Sequence, residues 1–214
     1  MSIGKNLLDI ERSIYLDTSF ILNSLYESID SNKGIVNNSI KALGLLLSRA
    51  EPNCYISNIT LNELFNVIER SGFRSYVDKK IIQELKINES MWKSYSIDNR
   101  KSLRNEYDKT IGLNIKDIKN WRNNNEFKLD YKAYVLDEFL NILDSLPNEI
   151  KIISNFINPE LYKNDFIKTK KKYFMLDSND VNHYLLCKSN SIDCLLTNDS
   201  DFKEIDDLKI LHIN

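Results

Sequence analysis

Residues 178–199 read SNDVNHYLLCKSNSIDCLLTND. We predict a helix from about Ser178 to Ser189, followed by an apolar strand at Ile192–Leu196 that ends at the polar turn Thr197-Asn198-Asp199. An apolar run of this kind is typical of a strand that is buried on both faces of a parallel sheet. The stretch therefore predicts an α/β fold.

Four more strand-like runs flank this unit. Ser13–Leu16 stops at Asp17 and precedes a helix beginning near Phe20. Cys54–Ile56 precedes a helix that we expect to begin at Thr60, with Glu63 at capping-box spacing, and to end near Gly72. Strands that alternate with helices imply right-handed crossovers and a parallel sheet covered on both faces. The remaining runs are Ile150–Ile153 and Leu208–Ile213.

The composition is that of an ordinary globular protein. Of 214 residues, 42% are hydrophobic and 28% are charged, which excludes a disordered or fibrous chain. With 29 Lys and Arg against 31 Asp and Glu, the net charge of −2 does not attract nucleic acid or anionic lipid. The three cysteines lack metal-ligand spacing and are expected to be buried thiols, and no run approaches the roughly 20 apolar residues needed to cross a bilayer. We therefore expect a cytoplasmic protein with no membrane association.

The segment 73–130 differs in amino-acid composition from the rest of the chain. It holds 13 Lys and Arg against 9 Asp and Glu and both tryptophans, and it has helix-forming stretches without a clear strand. We predict that it is a helical subdomain inserted into a core formed by residues 1–72 and 131–214. Its aromatic side chains are expected mainly to form its own core, although some could stack on exposed bases.

Four carboxylates fall where the predicted strands and helices meet. Asp17 and Asp199 follow directly after strands. Glu63 lies on the helix after the second strand, and Asp180 opens the helix before the fourth. Because parallel sheets collect function at the carboxyl ends of their strands, we expect the four to converge on one edge. A divalent cation would relieve their repulsion, and oxygen ligands without His or Cys favour Mg²⁺ or Mn²⁺, which support phosphodiester hydrolysis.

The segments that carry these acids resemble the PIN-domain ribonucleases. The resemblance covers roughly residues 12–72 and 131–214. It implies a three-layer α/β/α fold with a central parallel sheet, an acidic Mg²⁺/Mn²⁺ site and cleavage of single-stranded RNA that leaves 5′-phosphate and 3′-hydroxyl ends. For many bacterial members it also implies the toxin role in a toxin–antitoxin pair. The matching segments are Ile14–Ser19, Thr60–Leu64, Asp180–His183 and Leu195–Phe202.

The resemblance also implies roles for individual residues. The four acids that match its acidic positions would be catalytic metal ligands, and Asp201 matches an auxiliary metal-binding acid. Val181 stands where the family commonly has Ala, and the segment 73–130 has no counterpart in the compact toxin-type members. The resemblance allows an antitoxin protein as a partner, and a second copy of the chain is another candidate partner. The four acids are Asp17, Glu63, Asp180 and Asp199.

Several of these residues also have structural interpretations. Asp17 and Asp199 could cap the helices that follow them, and Glu63 could complete a capping box. His183 lies on the same helical side as Asp180, but we expect a packed or hydrogen-bonding histidine rather than a ligand. Because these acids occur together and in the same order as in the PIN-domain family, we favour a shared metal site over separate capping roles.

A lysine-rich stretch could supply the phosphate contacts that an acidic site needs. Residues 151–174 contain six Lys against two acids, so positive charge is concentrated there. The alternative is an ordinary solvated loop. The candidate RNA-binding residues are Lys168, Lys170, Lys171 and Lys172.

The sequence thus predicts a Mg²⁺- or Mn²⁺-dependent endoribonuclease that acts on single-stranded RNA. Two alternatives stay open. One is a non-catalytic PIN-like module that binds RNA or protein. The other is a structure-specific DNA nuclease, which the lack of a helix-hairpin-helix glycine motif disfavours.

Overall fold

The computed structural model describes residues 13–25, 33–49, 51, 53–111, 128–154 and 159–213. Within these residues the chain has five strands, eight α-helices and a short 3₁₀ helix. The strands are β1 (Ile14–Leu16), β2 (Cys54–Ser57), β3 (Ile150–Ile153), β4 (Cys194–Thr197) and β5 (Lys209–His212). The predicted α/β class is confirmed.

The five strands form one sheet in the order β3-β2-β1-β4-β5, and every pair is parallel. From β1 the chain adds β2 and β3 on one side, then returns to add β4 and β5 on the other. The order therefore reverses between β1 and β4. In open parallel sheets, ligands bind outside the carboxyl ends of the strands at such a point. Ile14 aligns with Cys54 on one side and Cys194 on the other.

The helices account for most of the remaining described chain. They are α1 (Thr18–Leu25), α2 (Lys33–Leu47), α3 (Asn58–Leu85), α4 (Glu89–Ser94), α5 (Ile97–Ile111), α6 (Lys128–Ser145), α7 (Pro159–Lys172) and α8 (Ser178–Ser189), and the 3₁₀ helix is Ser200–Glu204. Helix α1 contacts α2 and β4, and α8 contacts α7 and β4.

The core is centred on the two strands at the reversal. Every residue of β1 and β4 is buried, so both faces of these strands are covered. The outer strands β3 and β5 are partly exposed, as edge strands usually are. One core cluster joins Tyr15 of β1 and Leu195 of β4 to Val181 and Leu186 of α8 and to Phe202. The three cysteines are buried and free, as expected.

Helix α3 differs from the predicted helix at both ends. It begins at Asn58, not Thr60, because the Ser57 hydroxyl accepts hydrogen bonds from the N–H groups of Ile59 (3.2 Å) and Thr60 (3.4 Å). The predicted capping box with Glu63 is therefore absent. The helix also continues through Gly72 to Leu85. A single glycine costs a helix only about 1 kcal/mol, which surrounding helix-forming residues offset.

The chain divides into two compact units. The first comprises Met1–Glu27, Ser31–Leu64 and Asp144–Asn214, and it contains the whole sheet. The second comprises Ser28–Asp30 and Phe65–Leu143, and its described secondary structure is entirely helical. The segment 73–130 lies within the second unit. The bounds 1–72, 131–214 and 73–130 stay a prediction. No helix among the described residues is long and apolar enough to span a membrane.

A buried ion pair organises the second unit. The carboxylate of Asp78 accepts from Arg104 Nε (2.7 Å) and Nη2 (2.8 Å), and its Oδ2 also accepts from Trp92 Nε1 (2.9 Å). Asp78 and Trp92 are buried. The carboxylate therefore links α3, α4 and α5.

Replacing Asp78 with Ala should lower the free energy of unfolding by about 3 kcal/mol, because it removes the buried carboxylate that pairs with the guanidinium and accepts from Trp92. Glu84→Ala removes an exposed carboxylate from the same helix and serves as the control. Urea unfolding followed by circular dichroism measures both variants. Equal midpoints for the two would contradict a stabilising role for this ion pair.

Candidate metal centre

Asp17 lies at the junction of β1 and α1, beside the end of β4. Its N–H donates to Leu196 O (3.0 Å), and its carbonyl accepts from Ile21 N (3.0 Å). Its side chain is buried, and Oδ2 accepts from the hydroxyls of Ser19 (2.6 Å) and Thr197 (2.8 Å). These two hydroxyls and the Ser19 N–H (3.4 Å) therefore hold one carboxylate oxygen, while the other, Oδ1, faces His183 Nε2 at 3.7 Å.

Glu63 reaches the same place from α3. Its Oε2 accepts from the Thr18 hydroxyl and lies 2.9 Å from His183 Nε2. Burial alone would raise the pKa of Glu63, but the hydrogen bond and charge of His183 and the Thr18 hydroxyl bring it below its ordinary value. Glu63 is therefore held as a carboxylate.

His183 lies between these two acids and Tyr15. Its ring is 1% exposed, and Nδ1 lies 2.7 Å from the Tyr15 hydroxyl. Burial would lower its pKa, but the hydrogen bond to Glu63 and the charges of Asp17, Glu63 and Asp180 raise it. The expectation of a hydrogen-bonding histidine agrees with these contacts. One potential ligand atom from each of Asp17, Glu63 and His183 lies within 4.8 Å of the other two, so the group could bind a metal ion.

Asp180 lies in the first turn of α8, where it forms a capping box with Asp177. Its Oδ2 accepts from Asp177 N (2.9 Å), and Asp177 Oδ1 accepts from Asp180 N (2.9 Å). Burial raises the pKa of Asp180 to about 6; the backbone hydrogen bond opposes the shift, and the charges of Asp177, Asp199 and Asp17 add to it. Asp180 is thus within electrostatic range of both strand-end acids.

Asp199 caps the 3₁₀ helix, as the structural interpretation of this residue predicts. Its Oδ1 accepts from Asp201 N (2.9 Å), and its own N–H donates to Thr197 Oγ1 (2.9 Å). Asp201 is exposed. The structure therefore brings Asp17 and Glu63 together around His183, and the charges of Asp180 and Asp199 act on the same region. The roles of the four acids and Asp201 as ligands stay a prediction.

The four candidate lysines differ in their surroundings. Lys170 Nζ donates to the carbonyls of Phe174 (3.1 Å) and Leu176, and Lys172 pairs with Asp206 (2.7 Å) and Asp207 (3.5 Å). Lys168 and Lys171 are exposed and pair with none of the described residues. Two of the four therefore bond to other groups of the protein, and the ammonium groups of the other two are exposed.

The three side chains offer a metal ion two kinds of donor atom. Within 4.8 Å of one another lie oxygens of two carboxylates and one imidazole nitrogen, in a largely buried site. Burial is the main cause of the raised pKa of Asp180, and the charges of Asp177, Asp199 and Asp17 add to it, so a cation bound nearby would favour the charged carboxylate.

Four supporting side chains were not identified from the sequence: Tyr15, Thr18, Ser19 and Thr197. The sequence feature that could have identified them is their position, since each lies within β1 or β4 or within three residues of the end of β1. Buried polar side chains need hydrogen-bond partners, and the acids supply them for Thr18, Ser19 and Thr197. Comparison with family models, curated proteins and solved structures found no match to this chain.

Proposed function

We propose that this protein is a PIN-like ribonuclease with a three-layer α/β/α core, which hydrolyses single-stranded RNA with Mg²⁺ or Mn²⁺. One observation carries the proposal. The hydrogen-bonded carboxylates of Asp17 and Glu63 lie at the carboxyl edge of a parallel sheet, beside the reversal between β1 and β4. The charges of Asp180 and Asp199 reach the same region.

The acids would hold the cation, and the residues around them would fix their orientation. Bound cations supply water activation and stabilise charge on the attacking and leaving oxygens. Ser19 and Thr197 bond to one oxygen of Asp17 and leave Oδ1 directed at the cluster. Thr18 and His183 bond to Oε2 of Glu63. The site is therefore held in place before substrate binds, which is how active sites avoid reorganisation during the reaction.

The substrate class rests on the resemblance to PIN-domain ribonucleases. The same resemblance supports the toxin role and an antitoxin partner, and a second copy of the chain stays a candidate partner. A non-catalytic binding module gains support from the capping roles of Asp180 and Asp199, because these bonds alone could explain both acids.

A direct competition tests the proposal. Single-stranded RNA, duplex RNA and a DNA flap, each with its own fluorophore, are incubated together with the protein and Mn²⁺. We expect the single-stranded RNA to be cut fastest, and EDTA to stop the reaction. Preferential cutting of the flap would indicate the DNA nuclease. Absence of cutting by protein that binds Mn²⁺ would indicate the binding module.

RNA binding should depend on the two free lysines of α7. Replacing Lys168 and Lys171 with Ala should reduce the slope of log affinity against log salt by about 1.4, since each phosphate contact to a single strand contributes about 0.7. The matched control replaces Lys170 and Lys172, whose ammonium groups already bond within the protein. Fluorescence anisotropy over a salt series measures both variants. A larger change in the control would contradict the assignment.

A further inference from the structure

The Tyr15 hydroxyl connects three elements beneath the acidic cluster. It lies 2.7 Å from Ser57 Oγ, 2.9 Å from Thr60 Oγ1 and 2.7 Å from His183 Nδ1. All four side chains are buried, with exposures of 1% or less. In such surroundings each polar hydrogen needs an acceptor, so the contacts constrain where the hydrogens lie.

The hydrogen positions follow from the number of donors and acceptors. Ser57 Oγ accepts from the N–H groups of Ile59 and Thr60, and Thr60 Oγ1 accepts from Ser57 N (3.4 Å). The hydroxyl hydrogens of Ser57 and Thr60 are therefore available to Tyr15. A phenol oxygen accepts two hydrogen bonds and donates one. With both lone pairs used, Tyr15 donates its hydrogen to Nδ1 of His183.

The other side of the imidazole ring leads to the same assignment. His183 Nε2 lies 2.9 Å from Glu63 Oε2, and this contact requires a hydrogen between the two atoms. An ionised carboxylate has none to give, so the hydrogen is on Nε2. A ring nitrogen that carries a hydrogen has no lone pair for a metal ion.

We propose that Tyr15 fixes the tautomer of His183 with the hydrogen on Nε2, which makes His183 a positioning residue for Glu63 and not a metal ligand. The arrangement keeps nitrogen out of the ligand set and so favours hard cations over Zn²⁺, which imidazole suits. The preference for hard cations rests on the proposed function, because it assumes that a metal ion binds here. The tautomer of His183 does not depend on a metal ion.

Nitrogen-15 NMR of the metal-free full chain tests the tautomer directly. The chain has two histidines, so a His212→Gln variant assigns the His183 signals. Spectra are recorded at alkaline pH, where the ring is neutral. We expect the Nε2–H form in the parent, and a rise in the Nδ1–H form in Tyr15→Phe. A parent ring with its hydrogen on Nδ1, or on both nitrogens, would overturn the proposal.

Calorimetry with MnCl₂ and ZnCl₂ tests the selectivity. In Tyr15→Phe, Nε2 can lose its hydrogen, so the ratio of Zn²⁺ to Mn²⁺ affinity should rise about tenfold over the parent. Tyr184→Phe is the matched control, because it removes a hydroxyl that bonds to Asp207 in the same core. An unchanged ratio in Tyr15→Phe would overturn the selectivity claim.

Two His183 variants separate positioning from packing. His183→Gln can present an amide N–H to Glu63 and should keep Mn²⁺ affinity close to that of the parent. His183→Leu fills the space without a donor and should weaken Mn²⁺ binding by roughly tenfold. Equal losses in the two variants would indicate a packing role alone. If the parent binds neither cation, the proposed function fails, while the NMR spectrum still decides the tautomer.

Discussion

Asp17→Asn is expected to reduce Mn²⁺-dependent RNA cleavage by about 10³-fold, or ~4 kcal/mol of transition-state stabilisation. The Asn side chain keeps an oxygen that can accept from Ser19 and Thr197, so the fold should persist. It also places an uncharged amide where Oδ1 faces the cluster. The charge required to hold a cation is thereby lost. Cleavage of a labelled single-stranded RNA measures the effect.

The same variant should lose the stabilisation that metal gives the folded protein. Ligand at about 100 times its dissociation constant stabilises a protein by about 2.7 kcal/mol, and the parent should show this as a higher melting temperature that EDTA reverses. Glu204→Gln is the control, since it neutralises an exposed acid in the same unit. If Asp17→Asn kept the parental rate and metal response, the metal site would be wrongly assigned.

Asp180→Asn should increase the free energy of unfolding of the metal-free protein. The folded pKa of Asp180 is about 6, above its ordinary value of 3.8, so the folded state binds a proton more tightly than the unfolded state. The stability of the parent therefore falls as pH rises from about 4 to about 6. The Asn variant lacks this loss and can still accept the capping hydrogen bond from Asp177.

We expect the advantage of Asp180→Asn to be small below pH 4 and to reach about 2 kcal/mol above pH 7, after allowance for partial solvent screening. Urea unfolding in EDTA across this range measures it. Saturating Mn²⁺ should reverse the order and make the parent more stable. A variant that is less stable than the parent at neutral pH without metal would show that capping outweighs charge repulsion.

The sheet could be predicted from the sequence because its strands are short apolar runs that end in polar residues. The pattern therefore predicts correctly that Asp17 and Asp199 lie at strand ends, because each acid follows its strand within two residues in the chain. The five-stranded parallel order then brought both acids to the reversal.

The contacts of Glu63 could not be predicted in the same way. They depend on where α3 begins, because each residue turns a helix by about 100°. Thr60 has the local sequence of an N-cap, but its hydroxyl bonds to Tyr15, and Ser57 caps the helix instead. That choice depends on a strand 45 residues away. No local pattern encodes it, and the contact between Glu63 and His183 follows from it.

The long separation between Asp17 and Thr197, 180 residues apart in the chain, has a consequence for synthesis. Strand β1 can pair with β2 early, but its other neighbour, β4, leaves the ribosome only after β2, β3 and the helices between them have been made. Any product that stops before β4 lacks the hydroxyl that orients Asp17, along with Asp199 and the strand that buries β1. A chain that stops before β4 would therefore lack a fully oriented Asp17, and the candidate metal centre would be complete only once β4 had been made.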